Sequence, residues 1–274
     1  NPAYAQLLKT LAKAGPQGFY QGEWAESVVT QLQAAGSDIS LTDWRNYQAT
    51  VTPALCRPLA WANQAGQICS APAPSGGFTV IENLLLMAQA NAALPLDHRL
   101  LEAQRLSFAD RQRYSADPAF VPVPTEGLLS PAYTQARAAL IAEQAAGTVP
   151  AGEVFPSLSL ATDQQVLEHG TSHFTIVDAR GHWLAMTSSI EDAFGSRLMI
   201  NGLLMNNQLT DFSFVPELDG LPVANRVAPG KRPRSAMSPT FVLTAKGKPL
   251  MSVGSPGGSR IIGFNTGVIA RWLQ

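Results

Sequence analysis

The stretch Glu168-His169-Gly170-Thr171-Ser172-His173-Phe174-Thr175-Ile176-Val177-Asp178 decides how the rest of the chain is read. Its first residues close a run of small residues without periodicity, and its last ones open an apolar strand. A hydroxyl residue directly after glycine at the head of a strand has a particular chemical use. The Thr171 hydroxyl can attack the Gly170 carbonyl, which glycine leaves uncrowded, and shift the peptide bond to an ester that water cleaves. Cleavage frees the α-amine of Thr171, whose reference pKa of about 7.7–8.0 suits a general base near neutral pH. One residue then supplies both nucleophile and base. Taken alone, Gly-Thr-Ser reads more simply as a polar strand start.

Outward from this junction the chain changes character on either side. Beyond it, His173 to Ser189 reads as two strands joined at Asp178-Ala-Arg-Gly181, and Phe241 to Val253 repeats that plan around Lys246-Gly247. Both hairpins carry near-continuous apolar runs, which predict strands covered on both faces. Gly254-Ser-Pro-Gly-Gly258 then leads into a final helix. Backbone N–H groups at such an entrance can hold developing negative charge on a substrate oxygen. A plain strand-to-helix turn or a weak phosphate loop reads equally from those residues.

Before the junction, residues 143–170 are small and irregular and predict a flexible linker. Earlier still, the apolar spacing predicts helices over Ala3–Ala14, Gly22–Ala35 and Leu100–Tyr114, and Pro72 to Gly77 forms a turn-rich entry to another. Ser40 caps a short helix leading to Trp44. Cys56 and Cys69 flank two short strands around an Asn63-Gln64-Ala65-Gly66 turn. A disulfide across that hairpin and two separate half-buried thiols are both open; the disulfide points to an oxidising compartment. The whole reads as α+β, with helices layered on sheet.

Composition excludes several function classes. Nineteen Lys and Arg against 20 Asp and Glu give a net charge of −1, which leaves no general attraction to nucleic acid or anionic membrane. The longest apolar stretch, Val80 to Ala93, is interrupted by Glu82, Asn83, Gln89 and Asn91, so no membrane span is expected. There is no Gly-x-Ser-x-Gly elbow and no Gly-Lys-Thr/Ser phosphate loop. His169 and His173 have the spacing of a helical metal pair, but Gly170 and the strand after it argue against a helix, and no metal or cofactor is expected.

Five stretches in order carry a resemblance: Thr171-Ser-His-Phe-Thr-Ile-Val-Asp178, Phe194-Gly-Ser196, Asn206-Asn-Gln-Leu-Thr-Asp-Phe-Ser213, Lys231-Arg-Pro-Arg-Ser-Ala-Met-Ser-Pro-Thr240 and Gly254-Ser-Pro-Gly-Gly-Ser-Arg260. With Gly15-Pro-Gln-Gly-Phe-Tyr-Gln-Gly22 and Pro72-Ala-Pro-Ser-Gly-Gly77, the chain resembles the γ-glutamyltranspeptidase family of N-terminal-nucleophile hydrolases. The resemblance implies a four-layer α-β-β-α sandwich, cut by itself between Gly170 and Thr171 into large and small subunits. Residues 1–170 would be the C-terminal part of the large-subunit region and 171–274 the N-terminal part of the small one, together one structural domain.

On this resemblance Thr171 is the nucleophile, and Ser189 stands where a threonine hydroxyl usually supports it. Gln208 and Asp211 match residues that bind the donor's α-amino group, Ser235 one of two serines that bind its carboxylate, and Gly257 and Gly258 the oxyanion glycines. By themselves Gln208, Asp211 and Ser235 read as turn and capping residues. Glu191 takes the place of a donor-binding asparagine, and Ala236 replaces the second serine. A hydrogen bond lost to a charged group costs about 1.5–3 kcal/mol, so both changes weaken the hold on a free glutamyl carboxylate. The implied activity is cleavage of γ-glutamyl amides such as glutathione, the acyl group passing to water or an amine. A related acylase or poly-γ-glutamyl depolymerase, and an inactive unprocessed fragment with a binding role, are the alternatives. Asn1 without a preceding Met, and an uncapped apolar run ending at Gln274, read as a piece of a longer, incomplete sandwich. A periplasmic or secreted location fits best, with the cytoplasm left open.

Overall fold

Local signals set the first helices. The Asn1 side chain accepts a hydrogen bond from the Tyr4 N–H at 3.0 Å and Pro2 opens the first turn, so α1 runs Pro2–Ala14 until Gly15, at φ +63°, closes it. The short α2 (Gln17–Tyr20) and α3 (Gly22–Ala34) follow. Ser40 and Asp43 cap α4 (Leu41–Asn46) reciprocally, each side chain satisfying the other's backbone N–H. The computed structural model describes residues 1–61, 64–154, 159–164 and 170–274. Onward come β1 (Leu55–Trp61), β2 (Gln64–Ser70), α5 (Gly77–Gln89), α6 (Leu96–Tyr114), α7 (Thr125–Leu128) and α8 (Pro131–Ala138). Then follow β3 (Ser172–Val177), β4 (Trp183–Ser188), β5 (Met199–Ile200), β6 (Leu203–Leu204), β7 (Glu217–Leu218), β8 (Leu221–Pro222), β9 (Thr240–Thr244), β10 (Pro249–Val253) and α9 (Ile261–Trp272).

The chain divides into two units, Asn1–Thr52 with Asp192–Asn207, and Pro53–Glu191 with Gln208–Gln274. Each draws on both the 1–170 and the 171–274 regions. The first unit gathers α1 to α4 and the β5–β6 hairpin around Val28, Ile200 and Met205, with Trp24, Leu32, Trp44 and Leu203 packed against them. Phe19 lies 4.6 Å from Trp24 and 5.4 Å from Trp44, ring centre to ring centre.

The second unit is built on an antiparallel sheet in the order β1-β2-β9-β10. Helix α5 contacts β1 and β2 and also meets α6, α8 and α9, so it is buried nearly all round. Phe78, Ile81, Leu86, Ile68, Val242 and Ile262 are fully buried in this core. The β3–β4 hairpin forms a second sheet that contacts β10. The fold is thus α+β, helices on sheet on sheet. Two strands expected to be covered on both faces are not: Ile176 and Val177 of β3 and Leu184 and Met186 of β4 are about half exposed. A continuous apolar run reports the capacity for two-sided burial, and that burial needs neighbouring layers. This hairpin is a sheet of two strands.

Cys56 and Cys69 stand opposite each other in the β1–β2 register and are joined in a disulfide. Three of the four residues expected in the turn, Gln64, Ala65 and Gly66, are strand residues of β2. Pairing continues through Ala60 with Ala65 to Trp61 with Gln64, because ladder bonds are backbone bonds that Ala65 and Gly66 can make. Asn63, the other residue expected in that turn, lies outside the described residues. Helix α6 begins four residues before the expected Leu100, with Asp97 in its first turn, where the helix dipole favours a carboxylate.

The stretch read as a linker lacks regular structure but is tied down where it is described. The Gly152 N–H donates to Asp110 Oδ1 at 2.6 Å, and Tyr114 Oη donates to the Gly152 carbonyl at 2.7 Å. Arg137 donates to the Pro150 carbonyl at 3.1 Å, and Leu160, Ala161 and Asp163 are buried. Among the described residues no helix is long and apolar enough to cross a membrane.

Under α5 lies a buried ionisable cluster. Glu82 and Asp110 are fully buried, Arg137 ion-pairs with Asp110 at 3.3 Å, and Tyr133 Oη donates to Asp110 at 2.8 Å. Burial, and next the Asp110 charge and hydrogen bond, push the Glu82 carboxyl well above its ordinary range; Arg137 opposes this only in part. The folded protein therefore keeps a proton on Glu82 that the unfolded chain loses above about pH 4.3. Unfolding then releases a proton, so this group's contribution to stability falls as pH rises from there toward its folded pKa. Glu82→Gln, which mimics the protonated form, is expected to gain on the wild type steadily between pH 5 and 8. Urea unfolding at both ends of that range checks it: a stability difference that does not change with pH contradicts the assignment.

Candidate active site

The β3–β4 register pairs Ser172 with Ser188, so the residues just outside it, Thr171 and Ser189, face each other at the hairpin's end. Thr171 Oγ1 lies 3.3 Å from Ser189 Oγ and also donates to the Gly170 carbonyl in a short contact. Ser189 Oγ donates to that same carbonyl at 2.8 Å. A hydroxyl donating to a carbonyl draws electron density from its carbon, the atom an attacking oxygen needs. Gly170 sits at φ +34°, in the region that favours glycine. The Glu191 N–H donates to Ser189 Oγ at 2.9 Å, which ties the residue after β4 to the same hydroxyl. Glu191 itself is buried with φ +73°, an uncommon conformation for a residue with a side chain, and accepts from Thr210 Oγ1 at 3.4 Å.

Opposite the hairpin end, a helical turn over Gln208–Asp211 brings Gln208 and the buried Asp211 together, Gln208 Nε2 donating to Asp211 Oδ2 in a short contact. Asn225 Nδ2 donates to the Asp211 carbonyl at 2.8 Å and its Oδ1 accepts from the Arg234 N–H at 2.8 Å. That one amide joins the turn to the segment carrying Ser235. Ser235 is further placed by its N–H to the Pro74 carbonyl at 2.9 Å, and the Met237 N–H returns to Ser235 Oγ at 3.2 Å. Proline 74 belongs to the turn-rich entry to α5, where the Gly76 N–H donates to the Met237 carbonyl at 3.0 Å.

The glycine loop closes the arrangement. After β10, Gly257 takes φ +127° and Gly258 φ +57°, and a helical turn over Gly258–Arg260 runs into α9. A side chain at Gly257 would be strained by its backbone and would come within 3.0 Å of the Phe264 ring. Thr171, Ser189, Gln208, Asp211, Ser235, Gly258 and, between them, Ala236, Met237 and Ile261 line one small cleft. Of the residues expected in the site, six line the cleft. Glu191 reaches it through Ser189, and Gly257 precedes its glycine wall. His169 lies outside the described residues. Among the described residues no three His, Cys, Asp or Glu side chains are grouped to hold a metal ion.

Sequence reasoning passed over the groups that hold the Ser235 segment. Arg234 is 1% exposed and ion-pairs with the equally buried Asp163 at 3.3 Å. Arg232 meets Asp117 through its side chain at 2.7 and 3.1 Å and its backbone N–H at 3.0 Å. Burial pushes the Asp117 carboxyl up, but the Arg232 and Ala119 hydrogen bonds outweigh it and hold the pKa at about 2. Lys231 Nζ donates to the Ala224 and Arg226 carbonyls at 2.6 and 2.8 Å, and burial lowers its pKa. A signal was present: three cations within four residues, Lys231-Arg-Pro-Arg234, in a chain only 14% charged.

Comparison with known proteins gives a consistent result. Residues 1–274 match the Gamma-glutamyltranspeptidase family throughout. The Glutathione hydrolase proenzyme of Bacillus subtilis (strain 168) is 35% identical, across 94% of this chain and 45% of that protein. That of Escherichia coli (strain K12) is 34% identical, across 94% of this chain and 45% of its own length. The chain thus spans about half the length of these relatives. The crystal structure of a cephalosporin acylase from Bacillus halodurans superposes with a TM-score of 0.81 at 22% identity, over 97% of this chain and 46% of the acylase. At that identity the likeness speaks for the fold alone.

Proposed function

The chain belongs to the γ-glutamyltranspeptidase family, and from that membership we propose that it cuts itself between Gly170 and Thr171 and then transfers acyl groups through Thr171. In the first step Thr171 Oγ1 attacks the Gly170 carbonyl carbon and the peptide C–N bond breaks. The resulting ester is hydrolysed to a Gly170 carboxylate and a Thr171 with a free α-amine. In the second, the same oxygen attacks a donor amide, and its proton passes to that amine and on to the leaving nitrogen. Water or an acceptor amine then takes the acyl group from the Thr171 ester.

The polar and glycine residues around Thr171 have tasks in this reading. The Gly257 and Gly258 backbone holds the developing oxyanion, and Ser189 steadies the nucleophile. Asp211 and Gln208 receive the donor's α-ammonium, whose charge needs a partner once out of water. Ser235 binds the α-carboxylate. The observation that carries the reading is the convergence of Thr171, Ser189, Gln208, Asp211, Ser235 and Gly258 on one cleft. The donor is a γ-glutamyl amide of the glutathione type, large and small subunits arise from one precursor, and the Cys56–Cys69 disulfide favours a periplasmic or secreted setting.

A second reading keeps the mechanism and changes the donor to that of an acylase or a poly-γ-glutamyl depolymerase. Ala236 in the cleft wall, in place of a second hydroxyl, favours it. Chromophore release from a γ-glutamyl anilide and from its glutaryl analogue, which lacks the α-amine, separates the two. A glutamyl donor predicts turnover at least about tenfold faster with the amine present, the scale of a lost charge-assisted hydrogen bond. Equal or faster turnover of the glutaryl compound contradicts it.

A further inference from the structure

Two pieces of backbone have to be held at a fixed separation for the proposed reaction: the head of β3, which bears Thr171, and the loop after β10, which bears Gly258. They belong to different sheets, so no ladder of backbone hydrogen bonds sets the distance between them. The structure shows what lies at the joint. His173, two residues beyond Thr171, packs its ring against Gly254, the first residue of the loop. A Cβ built on Gly254 would overlap three atoms of that ring. Unlike Gly257 and Gly258, Gly254 does not take a positive φ. Glycine is needed there for space alone, and His173 is what fills the space.

The ring is also held at its edges. Thr187, its partner across the hairpin, lies 2.8 Å from Nδ1, and Thr175 Oγ1 lies 3.2 Å from Nε2. Thr175 continues to Ser252 Oγ on β10 at 3.0 Å. The imidazole is therefore clamped by two hydroxyls on its own hairpin and braced against the strand and the loop of the other sheet. Burial lowers its pKa from the ordinary value, in keeping with a neutral ring whose nitrogens both have hydroxyl neighbours.

We propose that His173 is a positioning residue: its imidazole, seated on the bare Cα of Gly254, sets the distance between the Thr171 nucleophile and the glycine loop that faces it. The inference rests on the acyl-transfer reading above. It predicts a steric complementation, which a residue that merely stabilises the fold does not. Gly254→Ala forces ring and loop apart, and a displacement of about 1 Å between reacting groups costs on the order of 100-fold in rate. The loss falls on kcat, with KM for the donor within about threefold of wild type, because the groups that bind the donor do not touch this joint. His173→Ala removes the brace and lowers kcat by about tenfold, a smaller loss because nothing is driven apart.

Adding His173→Ala to Gly254→Ala frees the space the new methyl needs, and the double variant is expected to be about tenfold faster than Gly254→Ala alone. The assay is steady-state release of chromophore by the full chain from the γ-glutamyl and glutaryl anilides, with the rate of Gly170–Thr171 cleavage followed in parallel on denaturing gels. A double variant no faster than Gly254→Ala, or His173→Ala with unchanged kcat, overturns the proposal. If the wild type cuts itself but turns over neither anilide, the donor reading falls and the same rescue, read on the cleavage rate, decides this inference. Should Gly254→Ala fail to fold, the kcat and KM of His173→Ala decide it.

Discussion

Thr171→Ala is expected to leave the chain uncut between Gly170 and Thr171 and to lower acyl transfer by about 10⁴- to 10⁶-fold, the scale seen when a hydrolase nucleophile is removed. Thr171 Oγ1 and Ser189 Oγ both reach the Gly170 carbonyl, but only the Thr171 oxygen sits on the residue whose nitrogen leaves. Ser189 cannot stand in: its own nitrogen stays in the peptide bond to Ser188, so its oxygen cannot make the N-to-O shift within one residue and it carries no α-amine of its own to act as base. Thr171→Ser keeps hydroxyl and amine and is expected to process and turn over, which separates loss of chemistry from loss of fold. A Thr171→Ala protein that is cut at the wild-type rate contradicts the assignment.

The second large effect is on stability. Asp163→Ala removes one half of an ion pair whose side chains are 1% and 2% exposed, taking the carboxylate away from a buried guanidinium. Breaking a buried pair from one side costs about 3–5 kcal/mol, a large share of the stability of a domain of this size. Arg234→Met in the Asp163→Ala background takes away the buried positive charge as well and is expected to recover most of that loss. Urea unfolding of the two single variants and the double closes the cycle. Because Arg234 directly precedes Ser235, the single variants are also expected to raise KM for a donor with a free carboxylate. An Asp163→Ala protein within about 1 kcal/mol of wild type refutes this account of the pair.

The helices were legible where punctuation was strong. Ser40 with Asp43, and Gly15, each mark a boundary by a hydrogen bond or a dihedral that only a few residue types supply; the Asn1 cap with Pro2, which starts α1 one residue before the expected Ala3, was not read. The two hairpins after residue 170 were legible for the same reason, their turns holding Gly181 and Gly247 at positive φ. Their burial was not, since apolar runs in Phe174–Val177 and Leu184–Met186 say what a strand can pack against and not how much packs there.

Within the site, residues borne on strand ends and glycine turns could be read from motifs. The groups behind them could not. Asp163 and Arg234 are 71 residues apart in sequence, Asp117 and Arg232 115 apart, and nothing local in Ala161-Thr-Asp163 announces a partner for Arg234. The His173–Gly254 contact is of the same kind: each residue has an unremarked local reason to be where it is, and only the meeting of two sheets gives them a joint one.

The proposed chemistry requires that Thr171 become a chain terminus by its own attack. Intact-mass spectrometry of the purified chain after incubation at neutral pH tests it most directly. The account predicts two fragments, 1–170 and 171–274, the smaller beginning Thr171-Ser-His-Phe, and a single uncut mass for Thr171→Ala. An uncut wild-type chain, or a cut at any other bond, contradicts it.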